Sequence, residues 1–83
     1  MTPDEIAAAV RAVLEQFAPE SDVDALDPAA LLQEQLDLDS MDFLNAMIAI
    51  HDATGVDIPE ADYGEVATLD GLVRYVSVRA AAA

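Results

Sequence analysis

The chain has 83 residues, 54% of them hydrophobic and only three of them glycine. A chain of this length forms one domain with a packed core, burying ~60% of the surface that it exposes when unfolded, and has no room for a separate catalytic domain. Its 17 acidic residues against three arginines give a net charge of -14, which repels nucleic-acid phosphates and anionic membranes and favours basic proteins as partners. Alternatively, the acidity only keeps a small protein in solution.

The chain contains no cysteine, which excludes a disulfide framework and a thiolate metal site and permits a reducing compartment. Residues 1–5 are acidic where a secretory signal is basic. The apolar run over residues 46–50 is too short to cross a bilayer. We therefore expect a cytoplasmic protein that does not insert into membranes.

The first predicted helix covers residues 3–17. Thr2 is its expected N-cap, Pro3 fits the first helical position and Glu5 completes a capping box. One apolar stripe follows at helical spacing, made of Ile6, Val10, Val13, Leu14 and Phe17. Pro19 disfavours a helical residue before it, so the helix ends by residue 18.

Residues 19–38 show no sustained period and predict a long first loop. Within it, residues 27–32 suit one capped turn, with Leu31 and Leu32 turned inward. So long a connection is unusual in a small domain. We expect it to carry the chain along the length of the domain.

Three further helices are predicted. One begins at Asp39 or Ser40 and covers residues 40–54, with Gly55 as the left-handed residue after it. A short helix covers 60–66, where Ala61, Tyr63 and Val66 are the apolar positions. The last, over 68–80, begins at Thr68 as N-cap, and residues 80–83 are expected to fray. The predicted fold is all-α, a single domain over 1–83 with three main helices and one short helix.

Ser40 is the most informative residue, because it lies at the start of a predicted helix between acidic and apolar neighbours. A side chain in the first turn is exposed beside backbone N–H groups that lack partners within the helix. A phosphate ester there would lie at the positive end of the helix dipole, where an anion is favoured.

The helix that Ser40 begins is unusually apolar for a surface helix. Its core stripe is predicted to contain Phe43, Met47 and Ile50, which leaves a second apolar strip of Met41, Leu44 and Ile48. An exposed strip of this kind marks a partner surface. Alternatively, the helix is central and buried on both sides.

Two other chemistries are disfavoured by spacing. Ser40 and His51 lie ~16 Å apart along a helix, too far for a nucleophile and its base. Asp22, Asp24 and Asp27 lack the glycine of a calcium loop, so we expect no metal site beyond loose binding of divalent cations to clustered acids.

The tripeptide Asp39-Ser40-Met41 resembles the Asp-Ser-Leu signature of acyl carrier proteins. The helix spacing, the long first loop and the Ile58-Pro59 pair extend the resemblance over nearly the whole chain. It implies a carrier that catalyses nothing itself. A phosphopantetheinyl transferase would move 4'-phosphopantetheine from coenzyme A to the Ser40 hydroxyl, and acyl groups would be carried as thioesters on the thiol of that arm.

The resemblance also implies an acyl pocket between the helices, and its candidate lining residues are Phe43, Met47, Ile50 and Leu72. In any helical bundle the same residues would be core. The implied recognition face, flanking Ser40 and following its helix, comprises Asp39, Met41, Asp42, Leu44, Asn45, Ile48, His51 and Asp52. Its acids would steer basic docking patches of acyl-loading and acyl-transferring enzymes toward a monomeric carrier.

Three positions depart from the family pattern. Asn45 and His51 stand where acids are usual, and Asp37 occupies the usual glycine position. The missing charges suggest a specialised carrier rather than the main fatty-acid carrier. A peptidyl or aminoacyl carrier remains an alternative. Another is an unmodified acidic helical module that binds a basic partner, for example by mimicking a nucleic acid.

Overall fold

A computed structural model describes residues 1–82, which form four α-helices. They are α1 (Pro3–Phe17), α2 (Leu32–Gln35), α3 (Ser40–Thr54) and α4 (Leu69–Ala82), and two 3-10 turns lie at Val23–Ala25 and Glu60–Asp62. Within residues 1–82 the β structure is limited to an isolated bridge between Leu31 and Thr68. The expected all-α fold with three main helices is confirmed. No helix in this range combines the length and the apolar character needed to cross a bilayer.

α1 begins with the predicted capping box. The Glu5 N–H donates to Thr2 Oγ1 at 3.2 Å, and the Thr2 N–H donates to Glu5 Oε1 at 2.9 Å. Hydrogen bonding to the Glu5 carboxyl, first from the Thr2 backbone N–H and then from the Thr2 side chain, holds the pKa of that carboxyl below its ordinary value. The capping box thereby satisfies two backbone N–H donors at the start of the helix. The helix has the predicted bounds, Pro3–Phe17.

The core lies where α1 packs against both α3 and α4. Each burial of a large aliphatic or aromatic side chain contributes about 1.5–3 kcal/mol relative to exposure. The largest side chains that are fully buried come from every main helix and from the loops between them: Ile6, Val10, Leu14, Leu32, Met47, Ile50, Val66, Leu72 and Val76.

The long loop contains α2, a helix that the sequence analysis did not predict. Four residues are too few to show a helical period. The predicted inward pair in this loop is half wrong: Leu32 is fully buried, whereas Leu31 is 46% exposed. Leu31 has the extended backbone of an N-cap and pairs with Thr68. Neighbouring side chains point in opposite directions along extended backbone, so only one of the two can face the core.

The side chain of Gln35 closes this loop. Its Oε1 accepts the Asp27 N–H at 2.8 Å, and its Nε2 donates to the carbonyl oxygens of Asp27 and Ala30 at 2.9 and 3.2 Å. Backbone groups that no helix satisfies are thereby paired. These bonds hold residues 27–30, in the middle of the loop, against α2 and shortly before Ser40.

The prediction of a short α-helix over 60–66 is wrong in the type of helix and in its length. The segment has one 3-10 turn, Glu60–Asp62, and its backbone bonds all join residues three apart, from Asp62 N–H to the Pro59 carbonyl through Val66 N–H to the Tyr63 carbonyl. Its inward residues, Tyr63 and Val66, are also three apart, which suits the 3-10 period. Ala61 is exposed. The segment therefore places two apolar side chains, Tyr63 and Val66, toward the core.

α4 begins as predicted and ends later. The Gly71 N–H donates to Thr68 Oγ1 at 3.1 Å, which confirms Thr68 as the cap. The helix continues to Ala82 rather than fraying from residue 80, and Ala83 lies outside the described residues. Alanine has the highest helix propensity, which accounts for the two added residues.

Candidate functional site

Ser40 is the first residue of α3, and its side chain is exposed. The cap of this helix is the preceding residue: Asp39 Oδ1 accepts the Asp42 N–H at 2.8 Å. Asp39 thus satisfies a donor that the helix end would otherwise leave open. The hydroxyl of Ser40 is not needed to cap the helix, so chemistry on this oxygen does not remove the cap.

Buried neighbours on both sides hold Ser40 in place. Leu38 is 7% exposed and Phe43 is 4% exposed. The Phe43 N–H donates to the Asp39 carbonyl at 3.0 Å as the first full turn of α3. An exposed serine is therefore fixed between two core anchors, a suitable arrangement for presenting one side chain to another protein.

Asp37 has a positive φ of 52°, alone among the non-glycine residues that the structure describes. It follows α2 at the position where a Schellman motif requires a left-handed residue, and the Leu38 N–H closes that motif on the Gln33 carbonyl at 3.0 Å. Glycine is the usual residue there, and aspartate is one of the few others that tolerate it. The turn aims the chain from α2 into α3.

The surface around Ser40 is acidic. Asp37, Asp39 and Asp42 lie within three residues of it, and α3 contains no arginine or lysine. The nearest approaches of arginine to carboxylate occur elsewhere, between Arg11 and Asp24 at 4.0 Å and at the end of α4. A basic surface would therefore be attracted to the start of α3.

The outer face of α3 exposes apolar side chains, which decides against the alternative of a helix buried on both sides. Met41 is 64% exposed and Ile48 is 51% exposed, and they lie two turns apart on one face. Leu44 between them is half-buried. Of the other predicted recognition residues, Asp42 is half-buried and the exposed ones are Asp39, Asn45, His51 and Asp52.

His51 lies near the opposite end of α3 from Ser40. Its Nδ1 is 3.9 Å from Asp57 Oδ1, and both side chains are largely exposed. Ser40 and His51 are separated by three turns, ~16 Å along the axis. The structure therefore does not bring them together as a nucleophile and its base.

The four predicted pocket residues share one packed core, in which Phe43, Met47, Ile50 and Leu72 are each at most 4% exposed. The ring of Tyr63 meets that of Phe43 edge to face, with centroids 5.4 Å apart. The structure has a cleft of about 290 Å³ elsewhere, on α4, lined by Glu65, Gly71, Arg74, Tyr75, Val78 and Arg79. None of the four predicted pocket residues lines this cleft.

A cluster that the sequence analysis missed joins α4 to the 3-10 turn at Glu60–Asp62. The Tyr75 hydroxyl donates to Asp62 Oδ2 at 2.6 Å, Arg79 Nη2 lies 3.4 Å from the same oxygen, and the Arg79 guanidinium lies over the Tyr75 ring at 3.9 Å. Burial raises the pKa of the Tyr75 phenol, and the hydrogen bond with Asp62 raises it further. No local sequence signal links residues 13 and 17 positions apart.

Comparison with protein families supplies the assignment. The model of the family described as phosphopantetheine attachment site matches residues 4–76, a range that includes all four helices up to the middle of α4. The chain belongs to this family. No curated protein matches the sequence.

Domains of the phosphopantetheine attachment site family bear 4'-phosphopantetheine covalently and are generally non-catalytic carriers. They interact with a phosphopantetheinyl transferase and with partner enzymes. The resemblance to carrier proteins and the cofactor expected from it are thus confirmed.

Proposed function

We propose that this protein is an acyl carrier, a single domain over 1–83 that carries acyl groups as thioesters on 4'-phosphopantetheine attached to Ser40. The observation that carries the proposal is the exposed Ser40 hydroxyl at the first residue of α3, where Asp39 and not Ser40 forms the cap. The carrier itself catalyses nothing, and Asp39 and Met41 flank the attachment residue.

The residues at this position fit a phosphodiester. Ser40 and Met41 are the first two residues of the helix, where backbone N–H groups have no acceptor within the helix, and the helix dipole favours an anion there. When bound, the arm supplies a thiol, which the cysteine-free chain lacks.

Attachment requires a base from outside this chain. Ser40 Oγ forms a bond to the phosphorus next to the pantetheine of coenzyme A, and the bond from that phosphorus to the adenosine bisphosphate leaving group breaks. His51 is ~16 Å away along the helix and Asp39 Oδ1 already accepts the Asp42 N–H, and we assign the group that accepts the hydroxyl proton to the transferase. The contribution of the carrier is to hold Ser40 exposed between its core anchors.

The partners are the transferase and acyl-loading or acyl-transferring enzymes of lipid, fatty-acid or polyketide-type biosynthesis. Their basic patches face the acidic start of α3, and Met41 and Ile48 complete the contact as its apolar part. Leu44, Asn45, His51 and Asp52 belong to the same face. The carrier works as a monomer in the cytoplasm, without nucleic-acid partners.

The test is intact mass after incubation with coenzyme A and a phosphopantetheinyl transferase of broad specificity. We expect one added phosphopantetheine on the natural chain and none on Ser40→Ala. Ser21→Ala is the matched control, since Ser21 lies in the long loop, and it should be modified in full.

Stability measurements on the same variants separate chemistry from folding. Ser40→Ala should keep its free energy of unfolding within about 0.5 kcal/mol, because Asp39 forms the cap. Asp39→Ala should lose about 1 kcal/mol. Absence of modification on the natural chain would favour the unmodified acidic module, for which Ser40 is dispensable.

Two departures on the recognition face support a specialised carrier. Asn45 and His51 are exposed on α3 and stand where related carriers usually have acids. We expect fatty-acid synthase enzymes to load and elongate this carrier more slowly than a housekeeping carrier. Equal rates for the two carriers would contradict specialisation, and loading with aminoacyl groups only would favour the peptidyl alternative.

A further inference from the structure

The proposed acyl pocket is closed by packing in this structure. Phe43, Met47, Ile50 and Leu72 are at most 4% exposed, and the cleft on α4 has other lining residues. Protein cores are close-packed and do not deform continuously. An acyl chain therefore enters only if one wall of the core moves.

The segment 60–66 is the wall that moves most easily. α1, α3 and α4 are helices of 14 or 15 residues, whereas this segment has a single 3-10 turn and packs inward through Tyr63 and Val66. Few buried contacts and short-range bonding are features of regions that open locally. It contacts α3 through the edge-to-face pair of Tyr63 and Phe43.

The cluster of Asp62, Tyr75 and Arg79, hereafter the latch, ties this same segment to α4. Asp62 precedes Tyr63 directly, so the bond from the Tyr75 hydroxyl at 2.6 Å lies one residue from the ring that covers Phe43. Tyr75 is only 7% exposed. Hydrogen bonds to a charged group in such surroundings are stronger than neutral ones.

We propose that the latch determines how readily segment 60–66 separates from Phe43, and hence how long an acyl chain the carrier shelters. A short acyl group stays outside and does not require the latch to open. A long chain gains apolar burial with each added methylene, and this gain opposes the latch. The inference rests on the proposed function, since it requires an acyl group on Ser40.

The first test uses the unmodified protein and Tyr75→Phe, which keeps the ring and removes the hydroxyl. Hydrogen exchange of the Tyr63, Glu65 and Val66 amides, whose bonds lie within the segment, should accelerate about tenfold. Tyr63→Phe is the matched control, because the ring on Phe43 remains and the latch is intact. Asp62→Ala removes the acceptor of both latch bonds, from Tyr75 and from Arg79, and should accelerate exchange at least as much. Unchanged exchange in Tyr75→Phe and Asp62→Ala would overturn the proposal.

The second test loads acetyl or octanoyl groups from their coenzyme A thioesters with the transferase, and measures thioester cleavage by hydroxylamine. The ratio of octanoyl to acetyl half-life should rise severalfold in Tyr75→Phe and not in Tyr63→Phe. An unchanged ratio on fully loaded protein would overturn the latch and leave the carrier function intact. Failure of both the acetyl and the octanoyl arm to attach to Ser40 would instead overturn both the latch and the proposed carrier function.

Discussion

At the scale of single residues, the start of α3 separates two tasks that one serine often combines. Asp39 caps the helix, and Ser40 presents its hydroxyl. The sequence predicted the position of Ser40 well, because a capping residue before an apolar periodic run is a local signal. It did not predict which of the two side chains forms the cap, since aspartate and serine are both favoured as caps.

Asp37 provides a prediction at this scale. Its φ of 52° suits glycine. Among residues with a Cβ, only Asn and Asp adopt this left-handed conformation at low cost. We expect Asp37→Gly to be more stable than Asp37→Ala by about 1 kcal/mol in chemical denaturation. Equal stability of the two variants would show that the left-handed turn does not limit the fold.

At the scale of elements, periodicity predicted the three long helices and failed for the short ones. α1 and α3 have the predicted bounds of 3–17 and 40–54, because each contains several turns of apolar spacing. α2 is a single turn held by the Gln35 side chain and by its C-terminal motif. Segment 60–66 follows a three-residue period, which a weak helical pattern resembles over so few residues.

Gly71 provides a test of how closely that segment packs on α4. A Cβ at Gly71 would overlap the carbonyl oxygen of Glu65, whereas one at Gly64 would meet nothing within 4 Å. Alanine normally stabilises a helix interior by up to about 1 kcal/mol over glycine, but overpacking costs about 1–3 kcal/mol. Gly71→Ala should therefore lower the free energy of unfolding, and the matched variant Gly64→Ala should not.

Tyr75 makes the contact between α4 and segment 60–66 sensitive to alkali, through its bond to Asp62. Its folded-state pKa is raised above the ordinary value of about 10 by burial and by Asp62, so its contribution to stability is present below pH 10 and is lost as the pH rises through the folded-state pKa. The thermal midpoint should fall between pH 9 and 11. The fall should be smaller in Tyr75→Phe. It should not vanish there, because burial also raises the pKa of Tyr63, which that variant keeps. An equal fall in both proteins would contradict this assignment.

At the scale of the whole molecule, charge repulsion dominates the electrostatics. The net charge is -14 on a body of 33 × 25 × 21 Å. The arginines approach carboxylates at 3.4 to 4.0 Å, and in each of these pairs at least one side chain is exposed. Such exposed pairs contribute about 0–1 kcal/mol. Composition predicted this imbalance, and the helices predicted over 3–17 and 68–80 already placed the arginines on α1 and α4. The structure adds which carboxylates Arg11 and Arg79 approach.

Salt should therefore stabilise the protein. The Debye length falls from ~30 Å at 0.01 M to ~10 Å at 0.1 M, from about the length of the molecule to less than half of it. We expect the thermal midpoint to rise over this range of NaCl concentration. A falling midpoint would mean that the ion pairs outweigh the repulsion.

The assignment of the cap to Asp39 has a consequence for turnover of the protein in the cell. Because the cap does not use the Ser40 oxygen, an ester on that oxygen would not raise the fraction of unfolded chains, and the helix dipole would stabilise its negative charge. Proteases that sample unfolded chains would then degrade the modified form no faster than the bare form. Attachment of the proposed arm at Ser40 would thus not shorten the lifetime of the protein.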